Sequence, residues 1–363
     1  MIDRRLVGNL DWVLLGAVVL LCGIGVATIF SATHGSARSG LYLRQLWFLG
    51  LGLLGLLVAL VPDYRRLVDR APILYLGAAA LLVYLLLFGP RVAGTRRWFV
   101  LGSMQIQPSE FSKLVVALLL AKVFAETKKD RLGLRDVLAP AGAVALLALL
   151  VAAAPDLGTA ACLLPSLVAV AFLAGLRLRA VLGLLLALAL VSGLGWRYAL
   201  KEYQKARIYT FLNPNLDPKG AGYQKIQSEI AVGSGGLTGK GYLQGSQSQL
   251  GYLPARATDF VLSVLAEEMG FLGVAVVLGL YLLVLWRAFE AAQLARDRVG
   301  AFLVAGIAAT LAFQVVYNAA MVAGLAPVKG LPLPFMSYGG SSILASLLGI
   351  GLVLNVRMRR FAN

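Results

Sequence analysis

Ten predominantly apolar stretches of about twenty residues, the length needed to cross a bilayer's hydrocarbon core as a helix, run through the sequence. They lie at 11–31, 41–61, 71–89, 108–125, 137–154, 157–175, 179–199, 258–286, 299–324 and 338–356. In hydrocarbon a backbone must satisfy its own polar groups, which a helix does internally. The expected fold is therefore an all-α polytopic membrane protein: a single integral membrane domain over 1–363 with ten transmembrane helices. A polar, glycine-rich, basic interval of about 201–257 separates helices 7 and 8 as one large loop. Composition agrees, because a chain 60% hydrophobic and 14% charged is no ordinary soluble domain. The first stretch is too long for a signal-peptide core and reads as a retained helix.

An even number of spans puts both termini on one side. Lys and Arg of the short loops are in excess there once the long loop is discounted, so the termini read as cytoplasmic. The 201–257 loop is then extracytoplasmic. That outer side nevertheless keeps Arg91, Arg96, Arg97, Lys113, Arg207 and Lys240, in a chain of formal charge +16. Such cations either anchor lipid headgroups or handle an anion, and as a cluster they favour a phosphate-bearing ligand. Nucleic acid is excluded as a partner, since the basic residues form no stripe with interleaved aromatics. Cys22 and Cys162 lie inside apolar runs and His34 is the one histidine, which excludes a disulfide framework and a zinc site. The one cofactor left open is a hard divalent cation, Mg or Mn, held by carboxylates or by a substrate's phosphates.

Three stretches carry chemistry. In "QPSEFSK", Pro108 suits the first position of a helix. Glu110 falls in its first turn, where the dipole favours an anion, and Lys113 shares its face three residues on. They form either an interfacial ion pair or a pair in which Glu110 orients a cavity-facing Lys113. "APDLGT" is a tight outward turn in which Asp156 caps the next helix; pointing inward as well, it would add a second carboxylate beside Glu110. In "LPARATDF", Thr258 reads as an N-cap and Asp259 as the first residue of the following span. Asp259 is either a capping acid or a carboxylate suited to take a proton from a hydroxyl nucleophile. Glu267 and Glu268, about two turns deeper, read as structural. Within the loop, "YQKIQSEIAVGS" has a helical period. "GSGGLTGKG" lacks the strand and spacing of a phosphate loop, which leaves close backbone approach beside a large polar ligand as the use of its glycines.

Taken in order, "RRWFVLGSMQIQPSEFSK", "PDLGTA", "DPKGAGYQKIQSEIAVGSGGLTGKGYLQGSQSQL", "LPARATDF", "LAEEMG" and "LPLPFMSYGGSS" resemble the SEDS family (shape, elongation, division and sporulation), and its RodA branch in particular. The likeness covers nearly the whole chain, with the long loop its most specific part. It implies a peptidoglycan glycosyltransferase of the bacterial cytoplasmic membrane. Such an enzyme polymerises lipid II on the outer face, releases undecaprenyl diphosphate, and works with a class B penicillin-binding protein and other membrane proteins of the elongation complex. The family's essential aspartate carries over onto Asp259, and the Glu and Lys of its "QPSExxK" motif onto Glu110 and Lys113. Where the family often has Glu and His before "TDF", this chain has Ala255 and Ala257, which leaves Asp259 as the one carboxylate at that junction. On this reading Asp259 is catalytic. Lys113, Glu110, Arg207, Asp156, Arg96, Arg97 and Lys240 contact substrate, with Lys113 and Arg207 nearest the departing diphosphate. A lipid II flippase and a non-catalytic scaffold for the penicillin-binding protein are the rival readings.

Overall fold

The computed structural model describes residues 8–36, 39–92, 94–102, 104–127, 129, 132–177, 209–217 and 220–360, with isolated positions between 179 and 205. Among the described residues, seven helices are long and apolar enough to cross a membrane. They are α1 (Trp12–Thr33), α2 (Leu41–Leu60), α4 (Ala71–Phe88), α6 (Leu134–Ala153), α11 (Val261–Gln293), α12 (Arg298–Val322) and α13 (Gly340–Met358). A short helix, α3 (Tyr64–Asp69), links α2 to α4.

The other three expected spans differ in kind. The stretch at 108–125 is helical, α5 (Pro108–Glu126), but carries Glu110, Lys113 and Lys122 and so falls short of a purely apolar span. The stretch at 157–175 is two helices in series, α7 (Leu157–Cys162) and α8 (Leu164–Leu173). Pro165 explains the break: it has no N–H to offer the carbonyl of Ala161, so the first helix cannot run through. The stretch at 179–199 lies outside the described residues apart from a few isolated positions.

Helix α13 is the most buried of the seven and packs most extensively against α2, while α12 packs against α5, α8 and α11. Buried Asn355 fastens α13 to the end of α2, donating to the carbonyls of Ala59 and Pro62, each at 2.7 Å. One face of the bundle is closed by charge. Asp11 caps α1 through Leu14 N at 3.1 Å and takes a fork from Arg287 and a further bond from Arg357 at 3.0 Å. The chain therefore enters its first span and leaves its last on this same face.

The opposite face is irregular. A hairpin of β1 (Phe99–Leu101) and β2 (Met104–Ile106), with Val100 opposite Gln105, leads into α5. The interval expected as one loop contains α9 (Ala221–Gly235), matching the helical period read there, and a single turn, α10 (Ser246–Gln249). Its glycines do approach a backbone closely, but that backbone is α11. The helix breaks at Gly270 (φ 65°, ψ −163°). The carbonyls of Glu267 and Glu268 freed there accept from Lys240 N (3.0 Å) and Gly241 N (2.9 Å). In return Phe271 N and Leu272 N donate to Gly236 O (2.9 Å) and Leu237 O (3.1 Å). A side chain at Gly239 (φ 81°) would strike the carbonyl of Glu268.

Candidate active site

Asp259 stands in a turn, not in the helix expected to begin with it. The carbonyl of Ala255 (φ 51°) gathers Thr258 N and Asp259 N at 3.0 Å and the Thr258 hydroxyl at 3.2 Å. Thr258 therefore caps nothing. Helix α11 starts at Val261 with Phe260 as an N-cap that offers no side-chain bond. The turn is held from two sides. Asn318, fully buried on α12, donates its amide to Asp259 O (3.0 Å) and Leu331 O (2.9 Å). From the segment before α13, Tyr338 N donates to Ala257 O at 2.8 Å and the Ser337 hydroxyl donates to Thr258 O.

In front of Asp259 opens a cavity of about 260 Å³. Its wall includes Arg97, Glu110, Asp156, Thr159, Asp259, Tyr338 and the first residues of α13, Gly340 to Ser342. A Cβ at Gly330 would lie 3.6 Å from Asp259 Oδ2, so the carboxylate faces a residue that occupies little space. Pro108 opens α5, as its sequence position suggested, and sets Glu110 in the first turn. Glu110 and Lys113 form a buried ion pair at 2.8 Å, with side chains 4% and 6% exposed. Both readings of Asp156 hold. Its Oδ1 caps α7 through Thr159 N at 3.1 Å, and its Oδ2 meets Gln107 Nε2 at 2.6 Å inside the cavity wall. Burial pushes the Asp156 carboxyl up, against the opposing pull of the Thr159 N–H and the Arg97 charge.

Four of the candidate residues thus meet at one cavity: Asp259, Glu110, Asp156 and Arg97. Others stand elsewhere. Lys113 lies on the far side of Glu110, against a cavity of about 30 Å³ lined also by Thr310 and Gln314. Arg96 turns to the C-terminal carbonyls of α4, donating to Leu87 O at 2.7 Å. Lys240 is committed to Glu267, 2.8 Å away and fully buried, and is absent from the wall of the Asp259 cavity. Arg207 lies outside the described residues. Glu267 and Glu268 have the structural roles read for them: Glu267 collects Lys240, Gln247 N (2.8 Å) and Ser248 N (3.1 Å), and Glu268 accepts from the Ser31 hydroxyl.

The wall also contains residues that the motif reading left without a role. Gln107 N donates to Ser341 Oγ at 2.8 Å, and this bond joins the start of α5 to the start of α13. "LPLPFMSYGGSS" carried a usable signal, since proline, glycine and serine directly before an apolar run mark a helix entrance. No side chain caps the α13 N-terminus, and with the start of α5 it turns the positive ends of two helix dipoles toward the cavity. That field favours an anion. Among the described residues no three of His, Cys, Asp or Glu converge on a point where an ion could sit. The described carboxylates do not fit a resident metal site.

Fold and site together define a polytopic membrane protein with an acid-bearing, dipole-lined cavity at one mouth of its bundle. The chain belongs to the family described as "Cell cycle protein", of FtsW, RodA and SpoVE, whose model matches residues 10–361. It is 37% identical over 360 residues to the peptidoglycan glycosyltransferase MrdB of Escherichia coli (strain K12), covering 97% of this chain and 94% of that one. Among solved structures, it resembles a chain from a study of structural coordination of polymerization and crosslinking by a peptidoglycan synthase complex. There the TM-score is 0.83 at 39% identity, over 98% and 99% of the two chains. It also resembles the rod shape determining protein RodA of Thermus thermophilus, with TM-score 0.73 and 35% identity over 98% of each chain.

Proposed function

We propose that this protein is a peptidoglycan glycosyltransferase that polymerises lipid II at the outer face of the bacterial cytoplasmic membrane during cell elongation. Both termini are then cytoplasmic, and a class B penicillin-binding protein crosslinks the product beside it. The observation that carries the reading is Asp259 fixed at the mouth of a cavity it shares with Arg97, Glu110 and Asp156.

In the reaction, the 4-hydroxyl oxygen of the acceptor sugar attacks the anomeric carbon of the donor. A C–O bond forms there as the bond to the diphosphate oxygen breaks on the opposite side, inverting an α-linked donor to a β-1,4 product. The hydroxyl proton passes to the Asp259 carboxylate. Negative charge grows on the departing diphosphate, where the Arg97 guanidinium and the uncapped start of α13 stabilise it. Glu110 and Lys113 support that wall as a fixed pair. A divalent cation would arrive on the diphosphate oxygens themselves, and no step above depends on it.

The test is polymer formation from lipid II by the purified protein. Replacing Asp259 with Asn keeps size and hydrogen bonding but removes the proton acceptor, and should lower turnover by roughly 10²–10⁴-fold. Full activity in that variant would end the base assignment. Lipid II crossing a vesicle membrane without polymer would favour a flippase.

A further inference from the structure

Glu110 faces two spaces. It stands in the wall of the Asp259 cavity and also in that of the hollow of about 30 Å³ on its far side. That hollow gathers further polar side chains: Lys113, Thr310, Gln314 and Ser346. Gln314 lies inside an apolar span and is 2% exposed, yet its Nε2 has no hydrogen-bond partner among the described residues. Thr310, Gln314 and Asn318 recur every four residues, so one face of α12 carries all three into the bundle. Asn318 holds the Asp259 turn; Gln314, one turn away, borders the hollow. Lys113 poses the same problem as Gln314. An ammonium has three N–H groups, and among the described residues Lys113 Nζ has one partner, Glu110 Oε2 at 2.8 Å. A buried ion pair offsets its desolvation only when the remaining donors are also satisfied.

Two buried donors thus border one small space, and Thr310 supplies the complementary group. Its hydroxyl donates to Gly306 O at 3.1 Å, which leaves the oxygen's lone pairs to accept. A space of this volume has room for one or two water molecules, and a buried water needs two to four polar partners. We propose that the hollow is the site of an ordered water that accepts from Lys113 and Gln314 and donates to Thr310, and that Gln314 acts through it as a positioning residue for the Glu110–Lys113 pair. The positioning role rests on the glycosyltransferase reading and adds to it a residue that the motifs do not mark. With the water bound, Lys113 stays on Glu110 and cancels its charge at the wall of the Asp259 cavity. Without it, two ammonium N–H groups stand unpaired in a low-dielectric interior, and Lys113 is released from its one geometry. A bare Glu110 carboxylate then faces a cavity that takes a diphosphate. It repels that anion in the ground state and the transition state alike, which weakens binding and spares turnover.

A buried water is read directly by X-ray radiolytic footprinting, in which hydroxyl radicals formed from it oxidise the side chains beside it. The sample is the purified full-length protein in phosphatidylcholine nanodiscs. Ile350, 1% exposed and in the wall of the hollow, should be oxidised, whereas Leu147, fully buried and outside that wall, should not. Gln314→Met keeps the volume but removes the donor, and should cut Ile350 oxidation roughly fivefold or more. The same variant should raise the KM for lipid II about three- to tenfold, with kcat within about twofold of the wild type. Gln314→His returns an N–H to nearly the same place and should recover most of both. Unfolding midpoints of the two variants within a few degrees of the wild type establish that they fold. Ile350 oxidised no more than Leu147 in the wild type would mean a dry hollow and overturn the proposal, as would undiminished Ile350 oxidation in Gln314→Met. A Gln314→Met protein with a lower midpoint and an unaltered KM would make Gln314 structural and end the positioning role. The two readings fail separately. Ile350 oxidation that depends on Gln314, in a protein that makes no polymer, keeps the water site and removes the enzyme, whereas polymerisation with Ile350 untouched does the reverse.

Discussion

At the scale of single residues, the acids were legible because membrane helices seldom tolerate them. Asp259, Glu110 and Asp156 each sit at the entrance to an apolar run, and all three meet in one cavity. Asn318 was harder to read. It lies inside an apolar helix, and the carbonyls it holds are 59 and 13 positions away in sequence, so no local pattern exposes its purpose. A buried amide in such a span still needs partners, and that was the available signal. Asn318→Asp keeps the shape but turns an acceptor toward the carbonyls of Asp259 and Leu331. We expect turnover per folded molecule to drop at least tenfold with little change in KM, because Asp259, the proposed base, is displaced while the cavity walls remain. If the variant lost only thermal stability and kept its turnover, Asn318 would be structural and not a positioning residue. Asp156 gives a pH prediction. Burial raises its pKa in the folded state above the unfolded value of about 3.9. Its contribution to stability is therefore complete below that value and is lost as pH rises through the folded pKa. Asp156→Asn keeps the Oδ1 cap, and rotation of the Gln107 amide lets it accept from the new Nδ2. Relative to the wild type, this variant should gain unfolding temperature at pH 7–8, and the gain should vanish near pH 4. A gap that widened as pH fell would contradict the burial account.

At the scale of elements, hydrophobic length made seven spans readable, because the bilayer imposes a fixed length on any helix that crosses it. Elements set by exceptions to that rule were not readable. Pro165 divides one expected helix, and the β1–β2 hairpin is too short to leave a periodic signal. The loop's attachment to α11 was missed for another reason. Lys240 looked like a free cation on the outer face because its partner, Glu267, is 27 positions further on and buried. The structure makes the pair a staple that joins the loop to the break at Gly270. Glu267→Gln cannot serve both sets of donors: one amide position would hold an oxygen, and the other would turn N–H toward an N–H that needs an acceptor. We expect a stability loss of about 1–3 kcal/mol and faster hydrogen exchange at residues 236–252. Lys240→Met should reproduce part of that change, and the double variant should fall well short of the sum, as contacting residues do. Additive effects, or a change in KM for lipid II in Lys240→Met with exchange unaltered, would return Lys240 to the substrate.

Across the whole molecule, the two faces of the bundle do different jobs with the same residue types. On the face where the chain enters and leaves the membrane, charges are matched and shared. Arg287 and Arg357 converge on Asp11, whose side chain is 1% exposed, and both also reach Glu290. Across the bundle, acids and an arginine line a space large enough for a ligand. This division predicts that damage to the closed face lowers stability and leaves the chemistry intact. Arg287→Met removes the bidentate grip on a buried carboxylate that Arg357 still partly neutralises, and should cost about 3 kcal/mol, the low end of what breaking a buried pair costs. Arg357→Met leaves that grip in place and should cost about 2 kcal/mol, the size of one charged hydrogen bond. Thermal unfolding in detergent should rank the midpoints wild type, Arg357→Met, Arg287→Met, from highest to lowest. Polymerisation per folded molecule, assayed well below all three midpoints, should be equal. If turnover instead fell in step with stability at that temperature, the closed face would be coupled to Asp259 through α11 and α13, and the separation of clasp from cavity would be wrong.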